Sequence, residues 1–145
     1  MASTLESELA EALRSEYGAR VAYTRLARLT RDPALAGVFA TFVEDERRQI
    51  DELVATMRAL GIEPCRPSLR RRVLAEVLAW GSLIGGRGLA LRTCLDAEET
   101  RARWYGHLAE FLHAAGERRF DASFQRMSLL KLHHAQTLGA WVRRD

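Results

Sequence analysis

Apolar residues recur at helical spacing along almost the whole chain, and no long stretch alternates as a strand would. The first stripe, Leu5, Leu9, Ala12, Leu13, Ala19, Tyr23 and Ala27, predicts a helix over about 4–30. Asp32-Pro33 then breaks the pattern, with Asp32 suited to an N-cap and Pro33 to a first turn. A second helix over 34–60 follows through Leu35, Phe39, Phe42, Val43, Ile50, Leu53 and Met57, and Gly61 stops it. Pro64 and Pro67 hold the next stretch extended, and Ser68 can cap a short helix over 69–84. That helix carries Val73, Leu74, Val77, Leu78, Trp80, Leu83 and Ile84. Gly81, Gly85, Gly86 and Gly88 weaken any continuation, at about 1 kcal/mol each relative to Ala. Helix resumes over 88–115 through Leu91, Cys94, Leu95, Ala102, Tyr105, Ala109 and Leu112. A last helix over 118–143 carries Phe120, Phe124, Met127, Leu138 and Trp141.

Each of the four long helices has polar residues at the centre of its apolar stripe. At 100° per residue, Glu16 falls between Leu9 and Tyr23, and Glu98 between Leu91 and Tyr105. Glu46, with Gln49 one turn on, falls between Phe39 and Leu53; Lys131 and His134 fall between Phe124 and Leu138. All six are expected to point inward, where an isolated charge is costly, so they must pair with one another or hold a cation.

These residues also repeat. Leu9, Glu16 and Tyr23 match Leu91, Glu98 and Tyr105 at steps of seven, and Phe39, Glu46, Gln49 and Leu53 match Phe124, Lys131, His134 and Leu138. The chain reads as two related helical hairpins about a pseudo-two-fold axis. Treating 61–88 as the start of the third long helix would put Glu98 roughly 20 Å in height from Glu46; treating it as a crossover returns both to one level. The expected architecture is therefore all-α: a single domain over 1–145, a four-helix bundle of two antiparallel hairpins, and a long crossover with an extra short helix, the ferritin-like connection.

Composition narrows the function classes. The net charge of +3 is too small to argue for nucleic acid. Two cysteines, Cys65 and Cys94, make no disulfide framework, no segment reads as a signal peptide, and no run is apolar enough to span a bilayer; a cytoplasmic location is expected. Of 22 basic residues, 21 are Arg, so the lone Lys131 inside an apolar stripe stands out.

"EYGARVAY" followed by "EDERRQIDEL" resembles the first two bundle helices of rubrerythrin-like proteins and demethoxyubiquinone hydroxylases of the ferritin-like superfamily. "GRGLALRTCLDAEETRARWYGHL" resembles the third bundle helix of the hydroxylases. The resemblance implies a di-metal carboxylate site in which two helices each give one Glu and two each give Glu-x-x-His. Glu16 and Glu98 match the single carboxylates, Glu46 the Glu of one pair and His134 the His of the other. Gln49 stands where the other His belongs, and Lys131 where the other Glu belongs. A protonated Lys repels metal and attracts carboxylates.

Charge counting leaves two outcomes open. Three carboxylates facing one ammonium leave a charge near −2. One divalent ion would cancel it, and so would a proton together with Arg20 or Arg101 leaning inward. The first outcome is a site with one divalent metal (iron or manganese ahead of zinc) held by Glu16, Glu46, Glu98 and His134, supporting oxidoreductase chemistry. The second is a metal-free helical module in which Lys131 neutralises the carboxylates. No catalytic residue is singled out. Tyr23, Tyr105 and Cys94 read first as packing residues, with redox or ligand roles as the alternative; His107, His113 and His133 read as surface residues. The basic-then-apolar segment 69–84 suits packing on the bundle or a second subunit, hence a homodimer, or alternatively a peripheral membrane or quinone contact; a lipid- or quinone-binding protein is the third functional reading.

Overall fold

Among the described residues, five helices form where the stripes and breakers place them: α1 (Ala2–Leu29), α2 (Pro33–Ala59), α3 (Leu69–Ile84), α4 (Arg87–Ala114) and α5 (Arg118–Arg144). The computed structural model describes residues 2–144, and the side chains of 2, 3, 78, 82 and 83 lie outside the described residues, Leu78 and Leu83 among them. Observed bounds differ from the expected ones by at most two residues. Among the described residues no helix is long and apolar enough to cross a membrane.

The ends follow from local chemistry. Asp32 is extended (φ −70°, ψ 115°), and its carboxylate accepts a hydrogen bond from the Ala34 amide at 2.9 Å, with Pro33 opening α2 behind it. Asp32→Ala is expected to lower stability by about 1 kcal/mol in urea unfolding, the usual worth of an N-cap. α2 and α4 close alike. Gly61 and Gly116 take φ of 77° and 84°, a region open to glycine. The Gly61 and Ile62 amides donate to the Arg58 and Met57 carbonyls, and the Gly116 and Glu117 amides donate to those of His113 and Leu112. Both are Schellman closures. Ser68 caps α3 as expected, its hydroxyl accepting from the Arg71 amide at 3.4 Å. α3 runs through Gly81 to Ile84, and the break falls at Gly85 and Gly86.

The described residues fall into two compact units that meet in sequence between Gly81 and Ser82. In the first, α1 pairs with α2, and the three-residue link leaves them antiparallel. Leu9, Leu13, Leu35, Leu53 and Met57 are buried in this unit. Tyr23 stacks on Phe39 (centroids 5.9 Å apart, planes at 21°) and meets Phe42 edge-on at 5.3 Å. α3 and the segment before it are held to α1: Arg25 donates to Glu76 at 2.9 Å, Arg71 pairs with Glu11, and the Cys65 thiol, ahead of α3, donates to the Ala10 carbonyl at 3.6 Å. Ala75 and Ala79 are the buried side of α3, whereas Leu69, Val73, Leu74, Val77, Trp80 and Ile84 are exposed. Those exposed side chains do not pack within the first unit, where Ala75, Ala79 and the Arg25–Glu76 ion pair engage the helix instead.

In the second unit α4 pairs with α5 around Leu91, Leu112, Phe124, Met127 and Leu138. Tyr105 stacks on Phe124 (6.2 Å, 21°), and the Ser128 hydroxyl donates across the pair to the Ala102 carbonyl at 2.7 Å. Tyr105–Phe124 is the counterpart of Tyr23–Phe39 in the sequence repeat, and the two stacks share one interplanar angle.

Candidate functional site

Two turns beyond each aromatic stack, away from the hairpin connection, lie the polar residues of the stripe. In the first unit Glu16 is seven residues before Tyr23 and Glu46 seven after Phe39, so the antiparallel pairing that stacks the rings brings both carboxylates to one level. Glu16 and Glu46 are completely buried, and Gln49 nearly so. Neither amide atom of Gln49 has a hydrogen-bond partner among the described residues. A buried amide left unmatched costs about 1–3 kcal/mol per group, so this position is built to meet something polar.

In the second unit Glu98 and Lys131 hold the equivalent places, again two turns from their ring pair and completely buried. Three nitrogen groups surround the Glu98 carboxylate. Lys131 Nζ stands 3.9 Å from Oε2, His134 Nδ1 3.7 Å from the same oxygen, and Arg101 Nη1 3.4 Å from Oε1. Burial pushes the Glu98 carboxyl up, but the Lys131 ammonium, the His134 contact and the Arg101 guanidinium together hold it down at about 2. Glu98 is therefore an anion across the neutral and mildly acid range.

The structure sorts the other sequence-level candidates. Of the two arginines expected to lean inward, Arg101 does so, while Arg20 is exposed on the outer side of α1. Burial, reinforced by the Glu98 charge, pushes the Cys94 thiol up to about 12 against the opposing pull of Arg101. It stays protonated near pH 7, without the thiolate that soft ligation or redox chemistry needs. Tyr23 and Tyr105 are engaged in the aromatic stacks. His107, His113 and His133 are exposed, and His113 Nδ1 lies 2.8 Å from Asp121 Oδ2, a contact that lowers the Asp121 pKa.

The donor set decides what would fit. The α4–α5 hairpin does not fit a metal at the place equivalent to Glu46, because the Lys131 ammonium stands there, 3.9 Å from Glu98, and offers no lone pair to an ion. Glu16 and Glu46 in the first unit, and Glu98 and His134 in the second, are buried oxygen and nitrogen donors. One feature went unread in the sequence: a row of arginines along the outer side of α1, whose helical spacing (Arg14, Arg25 and Arg28, with Gly18 and Val21 between) was the available signal. Compared with known proteins, the chain matches no family model, no curated protein and no solved structure.

Proposed function

We propose that the chain is a ferritin-like protein with a reduced metal site that binds at most one divalent cation through Glu16, Glu46, Glu98 and His134. The observation that carries this reading is Gln49, a buried amide with no hydrogen-bond partner among the described residues, one turn from the buried Glu46 carboxylate. A ligand there would satisfy the amide. That both hairpins contribute to one ion rests on the sequence repeat, which sets the four ligands at matching steps from matching aromatic pairs.

Iron or manganese, when bound, would supply one-electron chemistry toward oxygen or peroxide, which makes oxidoreductase the activity class of this reading. The roles of the chain's own groups follow from their charges. Lys131 and Arg101 keep Glu98 ionised and so ready to ligate. His134 offers a neutral nitrogen while unprotonated, and Gln49 can orient a ligand or a water molecule by accepting through its carbonyl or donating through its amide.

A second reading has its own support. Lys131 lies 3.9 Å from Glu98 with both side chains fully buried, a geometry in which the ammonium substitutes for a cation and the protein is a metal-free helical module. The exposed apolar side chains of α3 are then the surface for the proposed second copy or membrane contact.

Metal content separates the two. Wild type and Lys131→Glu are purified without chelators and analysed by inductively coupled plasma mass spectrometry. Near-stoichiometric iron, manganese or zinc in the wild type is the expected result of the first reading. An empty wild type beside a loaded Lys131→Glu establishes the second, and two empty proteins sink the metal lineage altogether.

A further inference from the structure

A cavity of about 320 Å³ opens on the outer side of α1, away from the polar stripe, and shares no residue with the candidate metal ligands. Six arginines line it: Arg14, Arg20, Arg25 and Arg28 from α1, and Arg71 and Arg72 from the start of α3. Glu76 is the one acid in its lining. The local ion pairs do not balance this charge. Glu76 engages Arg25 at 2.9 Å, and Glu11 engages Arg71 and lies 3.8 Å from Arg14. Arg20, Arg28 and Arg72 have no ion-pair partner among the described residues. Crowding six guanidinium groups around one concavity is unfavourable by itself, and water screens it only in part.

The neutral lining groups are donors. The Ser68 hydroxyl oxygen accepts from the Arg71 amide, which leaves its proton to donate outward. Burial raises the Tyr17 pKa, so its phenol keeps its proton as well. Guanidinium forks and hydroxyl donors are the groups that match phosphate oxygens, often two bonds at a time. The volume lies at the low end of small-molecule pockets, which suits one compact ligand rather than a polymer. We infer that this cavity between α1 and the start of α3 binds a phosphate-bearing small anion, held by arginines from both helices. The inference stands apart from the metal reading and survives or fails without it.

Isothermal titration calorimetry on the full chain, with pyrophosphate and with ATP as probes, tests the site. A parallel arm measures co-sedimentation with phosphatidylcholine vesicles with and without phosphatidic acid. The expected result is saturable binding that weakens as salt rises and falls about tenfold or more in Arg20→Gln/Arg72→Gln, the loss of charge-assisted bonds. Arg28→Gln is a second, independent variant; all three positions are exposed, and thermal melts check that the variant proteins remain folded. Arg92→Gln, an exposed position on α4, is the control and should bind as wild type. Binding of the soluble probes alone assigns a free phosphate compound. Binding to phosphatidic acid vesicles that pyrophosphate displaces assigns a lipid headgroup. No saturable binding in either arm, or an equal loss in Arg92→Gln, overturns the inference.

Discussion

Replacing Lys131 with methionine is expected to lower the free energy of unfolding by about 3–5 kcal/mol at pH 7, the range found when one partner of a buried ion pair is removed. Methionine keeps most of the length and volume of the side chain, so the loss reports charge rather than a cavity. Glu98 is left as a fully buried carboxylate with Arg101 and His134 as its remaining nitrogen contacts in the pair of helices. The pH dependence gives the effect its signature. In the native protein the Glu98 carboxyl sits at about 2 against an ordinary 4.5, a difference worth about 3 kcal/mol. Because the folded value is the lower one, that stabilisation is fully present above about pH 4.5 and fades as pH falls toward 2. In Lys131→Met the carboxyl titrates at a higher pH, so acid relieves the buried charge early and the gap between the proteins narrows on acidification. Denaturant unfolding followed by circular dichroism, at neutral pH and through the acid range, checks both points. A gap that stays constant with pH would show that packing, not charge, is what Lys131 provides. Adding Glu98→Gln to the variant should recover part of the loss.

Phe124→Ala is expected to cost about 3–5 kcal/mol, the range for emptying a buried phenylalanine site. The side chain is completely buried and carries the stack on Tyr105, so the substitution removes both its burial and the ring pair. Phe39→Ala should cost a similar amount, because Phe39 stacks on Tyr23 in the same way and also meets Phe42 at 6.5 Å. Leu129, 64% exposed on the same helix as Phe124, provides the contrast: its replacement by alanine should stay within about 0.5 kcal/mol. Thermal or urea unfolding of the three variants decides the matter, and comparable losses at Phe124 and Leu129 would contradict the core assignment.

The helices were legible because their punctuation is chemical. Pro33 with Asp32, Gly61 and Gly116 fix the ends through an N-cap and two Schellman closures, which need no knowledge of tertiary contacts. Burial of Glu16, Glu46, Gln49, Glu98, Lys131 and His134 was legible for a related reason: a residue at the centre of an apolar stripe has to go where the stripe goes. What escaped depends on packing between segments distant in sequence. The spacing of Arg71, Arg72 and Glu76 does not reveal that they face Arg25 and Arg28, since that requires α3 to lie on α1. Nor does the spacing of the crossover reveal that, among its described side chains, Ala75 and Ala79 are buried while Leu69, Val73, Leu74, Val77, Trp80 and Ile84 are exposed. Arg20 and Arg101 looked equivalent in the charge count, and both lie within one turn on the same face as their Glu, yet Arg101 reaches Glu98 at 3.4 Å while Arg20 is exposed and lines the arginine-rich cavity.

The matched stacks of Tyr23 on Phe39 and Tyr105 on Phe124 make each hairpin a reference for the other. Apolar counterparts such as Leu9 and Leu91, or Leu53 and Leu138, are alike in identity and burial, while Glu46 and Lys131 stand in corresponding frames with opposite charge. One polypeptide thus contains a paired comparison of what a carboxylate and an ammonium do between matching aromatic and leucine neighbours. Transplanting a side chain from one frame to the other, as Lys131→Glu does in one direction and Glu46→Lys in the reverse, changes charge at a position whose apolar frame the chain has already built twice.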